Sequence, residues 1–310
     1  MTTHGDVARS VHRRLLNEAR AQGTDFNRLL IRYANERLLY RLQHTPEADQ
    51  FVLKGAMVFS LWAQVPHRST ADMDLLGYGS AAQERIADVF RDVCEVRLSA
   101  DDGLIFDPSS VRTEEIRKSS SYGGVRVHVI ARLGPAKILV KVDIGFGEAT
   151  VPAPEHETVP TILDHPAPRL RAYKRETVIA EKFHAIVDLG ERNNRLKDYF
   201  DLWFLAAHFE FDGDILGRAL QATFKRRGKA LPVVVPPGLS GRFATKNEAQ
   251  WKTFIQKATP TAAPKHMKEA SALVRRLLLP VVEHLHEGKL MNSTWKRKSG
   301  WQQNSGVKTP

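Results

Sequence analysis

The chain has 310 residues, 42% of them hydrophobic, a formal net charge of +11 and one cysteine. That length allows about two domains with a sizeable core. No run of about 18 apolar residues exists, which excludes a membrane-spanning helix, and a lone cysteine excludes an internal disulfide. The N-terminal stretch MTTHGDVARSVHRR lacks the apolar centre of a signal peptide, so the expected compartment is the reducing cytoplasm. The charge is unevenly placed. Residues 1–210 hold 28 Lys and Arg against 29 Asp and Glu, whereas residues 211–310 hold 18 against 6. A segregated basic module predicts a polyanionic partner such as nucleic acid.

In chain order, helical periodicity runs over residues 5–22 and 24–43, the second with Phe26, Leu29, Leu30, Tyr33, Leu38 and Leu39 on one broad face. FVLKGAMVFSLWAQV (Phe51–Val65) reads as a short strand, a glycine and a helix-like run. RSTADMDLLGYG then supplies the next strand and turn, and Ala81–Leu98 is an amphipathic helix whose Cys94 is expected to be a buried structural thiol. Val125–Leu133 alternates cleanly and Ala136–Gly147 is a second extended segment, with the turn at Gly134-Pro135 between them. Five prolines between Pro152 and Pro168 read as an extended linker. Two helices follow, Glu176–Leu189 and Arg195–His208, and the last hundred residues are mainly helical, ending in a polar tail expected to be mobile.

Asp72 and Asp74 pose the chemical question. Aspartate is depleted in strands, yet in an extended segment residues i and i+2 point to the same face. Both carboxylates can therefore converge on one cation. Asp143 lies in a second apolar extended segment, KVDIGFG, with Lys141 on its face. Three carboxylates from two strands make a hard oxygen site suited to Mg²⁺, or Mn²⁺, of the kind that serves phosphoryl transfer. Lys54-Gly55-Ala56 sits at a strand-to-helix switch where a phosphate could approach the backbone. Arg68, Ser69 and Thr70 add a charge and two hydroxyls just before the acidic pair. Taken singly, each feature has a bland reading: a surface turn for D-x-D, a strand-end ion pair for Asp143. The combination is more specific than its parts. His67 and His184 fit no zinc spacing and read as structural or accessory.

These residues carry a resemblance. KGAMVFSLWAQVPHRSTADMDLL resembles the first motif of the AbiEii/AbiGii toxin nucleotidyltransferases, the family that includes the MenT toxins. RAYKRETVIAEKFHAIVDLGERNNRLKDYFDLWFL is similar to that family's A-E-K segment followed by R-x-K-D-x-x-D-L. With KVDIGFG, the likeness covers about residues 50–210. It implies an α+β protein: a polymerase-β-like nucleotidyltransferase domain with a mainly helical, basic C-terminal domain. The corresponding division is 1–45 N-terminal helices, 46–165 nucleotidyltransferase core, 166–290 helical domain and 291–310 a flexible basic tail. By the resemblance Asp72, Asp74 and Asp143 hold the metals, Thr70 matches the motif's hydroxyl, Lys182 contacts the triphosphate and Asp198 is the essential acid. Lys54, Gly55, Ala56 and Arg68 complete the nucleotide contacts, with Ala56 standing where the family often has a second glycine.

From residue types alone, Arg195, Asp198 and Asp201 share a helix face, and a surface ion-pair cluster is the plainer reading of them. In the basic third, Lys225, Arg226, Arg227 and Lys229 form a dense cluster, and Arg275 and Arg276 lie on a helix; all six are candidate RNA contacts. Trp295 and Trp301 flank Lys296, Arg297 and Lys298, a pattern that suits stacking on a single strand or is merely a basic extension. The resemblance points to tRNA as acceptor, with transfer of NMP from an NTP to its 3′ end, growth arrest as the result, a cognate antitoxin and a monomeric state. Two other readings stay open: transfer to a protein or small-molecule hydroxyl, and a non-catalytic RNA-binding protein on the same scaffold.

Overall fold

A computed structural model describes residues 3–63, 72–116, 123–258 and 262–304. The chain divides into two compact units, Met1–Glu148 with Glu155–Tyr173, and Ala149–Pro154 with Lys174–Pro310. Among the described residues no helix is long and apolar enough to cross a membrane.

The first unit opens with α1 (His4–Gln22) and α2 (Phe26–Leu42). A Thr3/Asp6 capping box starts α1, and the Asp25 carboxylate accepts from the Arg28 amide to start α2. The strands are β1 (Phe51–Lys54), β2 (Met73–Gly77), β3 (Leu104–Ile116), β4 (Gly124–Leu133), β5 (Ala136–Phe146), β6 (Glu155–Thr158) and β7 (Arg169–Ala172), with α3 (Gln83–Glu95) between β2 and β3. They form one mixed sheet in the order β3-β4-β5-β2-β1-β7-β6. The alternation expected of β4 and β5 holds: Val125, Val127, Val129, Val140, Val142 and Ile144 are all buried. Cys94 is buried on α3, and burial pushes its thiol up to about 12. Beneath the helices, Asp102 is closed in by Arg41 and Arg37, with Arg37 Nε 3.0 Å from Asp102 Oδ2.

Three features differ from the sequence expectations. The helix-like run after Gly55 is a 3₁₀ turn, Met57–Leu61. Strand β3, with its mixed burial, was not anticipated. The proline-rich stretch is not simply a linker, because β6 pairs antiparallel with β7, Glu155 opposite Ala172. All five prolines fall outside the paired residues, where their missing N–H costs the ladder nothing.

The second unit contains α4 (Arg175–Leu189), α5 (Leu196–His208), β8 (Phe211–Asp212), α6 (Gly213–Arg226), α7 (Gly241–Lys246), α8 (Glu248–Ala258), α9 (Met267–His286), β9 (Ser293–Lys296) and β10 (Gly300–Gln303). Helix α4 lies against α6, and α5 against α9. The tail expected to be flexible is folded through Gln303 as an antiparallel β9–β10 hairpin that joins β8. The Trp295 indole N–H donates to the Ala206 carbonyl at 2.8 Å, and that of Trp301 to Leu277 at 3.0 Å. Trp295 is buried, its ring edge-on to Trp301. Two large apolar rings that also satisfy their N–H groups outweigh the polarity of the sequence around them. The fold class is α+β, with the helical, basic part C-terminal.

Candidate active site

A single row of residues crosses the first unit's sheet. Lys54 on β1 faces Asp74 on β2, Asp74 faces Asp143 on β5, Asp143 faces Arg126 on β4, and Arg126 faces Glu114 on β3. Directly opposed residues bring their Cβ atoms to about 4.5–5.5 Å. The row thus reads plus, minus, minus, plus, minus, and its only like-charged neighbours are Asp74 and Asp143. Two carboxylates at that spacing favour a cation between or beside them. Asp72, exposed just ahead of β2, adds a third carboxylate two residues from Asp74.

Gly55 makes the seat for Asp74. Its φ is +69°, and a Cβ placed there would lie 2.0 Å from Asp74 Oδ2 and 2.6 Å from Asp74 Cγ. The carboxylate therefore rests on the bare α-carbon of the turn, a position only glycine can supply. Ala56 precedes a five-residue 3₁₀ turn, which is too short to offer the helix N-terminus expected as a phosphate cradle.

Lys54 is almost fully buried and ion-paired with Glu148. The Tyr173 hydroxyl donates to the same Glu148 Oε2 at 2.8 Å, and the Lys54 ammonium stands 5.6 Å from the centre of the Tyr173 ring. Sequence reasoning missed Glu148 and Tyr173, which flank the stretch between β5 and α4 and carry no motif. Asp143 is gripped by the Arg126 fork, Nε to Oδ1 at 2.7 Å and Nη2 to Oδ2 at 2.9 Å. Lys141, its expected neighbour, faces His128 in register. Both oxygens of Asp143 are thus engaged by one guanidinium in a bidentate, charge-assisted pair. Arg68 and Thr70 lie outside the described residues.

Among the described residues no three His, Cys, Asp or Glu side chains are gathered closely enough to hold a metal ion. The expected carboxylates Asp72, Asp74 and Asp143 are brought to adjacent strands, and the Arg126 fork draws on both oxygens of Asp143. The donor set still suits Mg²⁺ or Mn²⁺. Such ions are usually held by one or two carboxylates plus water and substrate phosphates rather than by a complete protein cage. Asp72 and Asp74 meet that requirement.

The second unit holds its own charged cluster. Lys182 on α4 lies 2.8 Å from Asp198 Oδ1 and 2.7 Å from Asp201 Oδ2, and Arg195 Nε lies 2.7 Å from Asp198 Oδ2. Both aspartates are fully buried, so the surface ion-pair reading of the sequence does not hold. Burial alone would raise the Asp198 carboxyl, but Lys182 and Arg195 overcome it and hold it below the usual carboxylate range. The charges of these four groups, two cations and two carboxylates, balance. His184, on the same helix, is lowered to about 4 by burial and by Arg227, in keeping with a structural role.

The basic residues expected to meet RNA are not equally available. Lys225 and Arg226 are exposed at the end of α6. Arg227 turns toward Glu181 at 3.6 Å and Lys229 pairs with Asp188 at 3.1 Å, both partners being on α4. On α9, Arg275 is half-buried and Arg276 exposed.

Residues 37–276 match the family model described as nucleotidyl transferase AbiEii toxin, type IV toxin–antitoxin system. The chain belongs to that family of nucleotidyltransferase toxins, for which a cognate antitoxin is implied. Among solved structures it is similar to MenT4, a nucleotidyltransferase toxin of Mycobacterium tuberculosis H37Rv, at 17% identity and a TM-score of 0.48, covering 91% of this chain and 99% of that one. It is also similar to a putative nucleotidyltransferase of Helicobacter pylori, at 16% identity and a TM-score of 0.43, covering 82% of this chain and 95% of that one. A third likeness, to JHP933 of Helicobacter pylori, has 15% identity and a TM-score of 0.44 and covers 83% and 94% of the two chains. No curated protein matches the chain.

Proposed function

We propose that this toxin transfers a nucleoside monophosphate from an NTP to RNA, at the 3′ acceptor end of tRNA, with Mg²⁺ or Mn²⁺ as cofactor, and arrests growth by blocking aminoacylation. The observation that carries the reading is the register of Asp74 opposite Asp143, with Asp72 two residues away, in a chain of this family.

Asp72 and Asp74 would hold the divalent ion, with Asp143 beside them. When bound, the ion supplies charge neutralisation of the triphosphate and acidifies the attacking hydroxyl. Gly55 leaves the room Asp74 needs, and the Lys54–Glu148–Tyr173 group fixes the turn that carries it. Arg126 sets the plane of the Asp143 carboxylate. Within the second unit Asp198 and Asp201 orient the Lys182 ammonium, the group that by the family's pattern contacts phosphate. The acceptor hydroxyl oxygen forms the new bond to the α-phosphorus, the bond from that phosphorus to the β-phosphate side breaks, pyrophosphate leaves, and the hydroxyl proton passes to solvent.

The test incubates purified protein with Mg²⁺, total tRNA and each α-labelled NTP in turn, beside the Asp72→Asn and Asp74→Asn variants. Label on tRNA from the wild type, absent in both variants, is the expected result. Label on protein or on an added small-molecule hydroxyl would replace the acceptor, and no label on any of them would overturn the reading.

A further inference from the structure

A cleft of about 730 Å³ opens in the second unit between the start of α5 and the face of α8. That volume lies within the roughly 300–1,000 Å³ of ordinary ligand sites. Arg195 and Lys197 line one wall, and Gln250, Thr253, Phe254 and Lys257 the other. Among the described residues no acidic side chain lines it. Arg195 shares its charge with the buried Asp198, whereas Lys197 and Lys257 are exposed and have no ion pair among the described residues. Phe254 is half-exposed, braced from behind by Phe200 at 6.0 Å and Trp251 at 5.8 Å between ring centres.

Each component matches a part of a single nucleic-acid strand. Phosphates need cations that are not already neutralised, and Lys197 and Lys257 are such cations on opposite walls. A base needs an apolar ring with an accessible face held rigidly, and stacking of this kind tolerates any base. Gln250 and Thr253 add donors and acceptors for sugar or base edges. An acidic polypeptide would use the lysines but would have no need of the braced ring. We propose that this cleft binds a single-stranded segment of the RNA acceptor, with Lys197 and Lys257 on its phosphates and a base stacked on Phe254. The proposal rests on the reading of the protein as an RNA nucleotidyltransferase. It also moves the centre of RNA contact away from the 225–229 cluster, where Arg227 and Lys229 are already paired with α4.

The test measures binding of a labelled single-stranded RNA of about eight nucleotides, a typical site size for such grooves, by fluorescence anisotropy over a salt series. The proteins are wild type, Lys197→Ala/Lys257→Ala, Phe254→Leu, Phe254→Tyr and Lys225→Ala/Arg226→Ala, with polyglutamate as a second ligand. The double lysine variant should lower the slope of log affinity against log salt by about 1.4, roughly 0.7 for each lost phosphate contact on a single strand. Phe254→Leu should weaken binding about 5- to 150-fold, and Phe254→Tyr should restore it. Each variant is checked for an unchanged melting temperature; if Phe254→Leu does not fold, the lysine pair carries the test.

Unchanged RNA affinity and slope in the double lysine variant, with the loss falling on Lys225→Ala/Arg226→Ala, would overturn the cleft proposal. Polyglutamate bound as tightly as RNA would overturn it too. If the wild type still labels tRNA in either case, the functional reading stands without the cleft. A wild type that neither labels tRNA nor binds the oligonucleotide removes both.

Discussion

Gly55 and Asp74 occupy each other's space: a methyl group on the first would fall 2.0 Å from a carboxylate oxygen of the second. Real Cβ atoms do not approach oxygen so closely, so Gly55→Ala must displace the carboxylate. The positive φ adds about 1–2 kcal/mol of backbone cost for a non-glycine residue. A misplacement of about 1 Å at a reacting centre is worth on the order of 100-fold in rate. Gly55→Ala should therefore lose at least about 100-fold in nucleotidyl transfer while unfolding only slightly earlier on heating. Near-normal activity in a steady-state labelling assay would show that Asp74 is not confined by the turn.

Asp72→Asn and Asp74→Asn should each remove growth arrest on expression. They should also abolish the rise in melting temperature that NTP with Mg²⁺ gives the wild type, since a ligand bound only by the folded state stabilises it by mass action. Addition of a chelator should erase the wild-type shift. Toxicity intact in both variants would remove the metal assignment.

Lys182 neutralises two fully buried aspartates. Removing one partner from such a group leaves buried charge uncompensated, a cost of about 3–5 kcal/mol. Lys182→Met should therefore lower stability in urea by about that amount, whatever it does to catalysis. Because Lys182 and Arg195 balance Asp198 and Asp201, the double variant Lys182→Met/Asp201→Asn should recover part of the loss. A Lys182→Met protein as stable as wild type would place the lysine outside the buried network in solution.

Glu36 offers a pH signature. It is buried on α2, and burial raises its carboxyl from its ordinary 4.5 to about 7 despite Ile162 N–H and the nearby Arg37 and Arg32, which act in the opposite sense. The folded state thus holds a proton more tightly than the unfolded chain. Its contribution is complete below about pH 4.5 and is lost as pH rises through about 7. Glu36→Gln, which keeps an acceptor for the Ile162 amide, should be more stable than wild type at pH 8 by up to about 3 kcal/mol. The two should be equal at pH 4. Denaturant midpoints at the two pH values decide it, and a gain of equal size at both would refute the burial account.

Trp295 is buried at the centre of the C-terminal hairpin and bonded to Ala206. Trp295→Ala should cost about 3–5 kcal/mol, the usual penalty for truncating a buried aromatic. A mobile tail would show no change in the thermal unfolding curve.

Local pattern made much of this legible. The alternation of Val125, Val127 and Val129 marked β4, and the spacing of Asp72 and Asp74 put two carboxylates on one face of an extended segment. The i, i+3 spacing of Asp198 and Asp201 placed them on one side of α5. Residues with no motif were not visible. Glu148 and Tyr173 matter because they meet on Lys54, and neither has neighbours that announce it. The tail misled for the opposite reason: its composition is polar, and its order comes from two indoles that find carbonyls on α5 and α9.

Periodicities of 2 and 3.6 are properties of a single segment, so the sequence by itself determined which face each carboxylate takes and where the basic charge accumulates. Which face meets which was decided only in the tertiary structure. Asp74 lies opposite Asp143 because β2 and β5 pair in parallel in one register, and Arg126 closes on Asp143 because the β4–β5 hairpin sets another. A slip of one residue in either pairing would turn every side chain to the other face. Those registers are held by the buried valines and isoleucines between the charged positions, so the apolar core places the charges it does not contain.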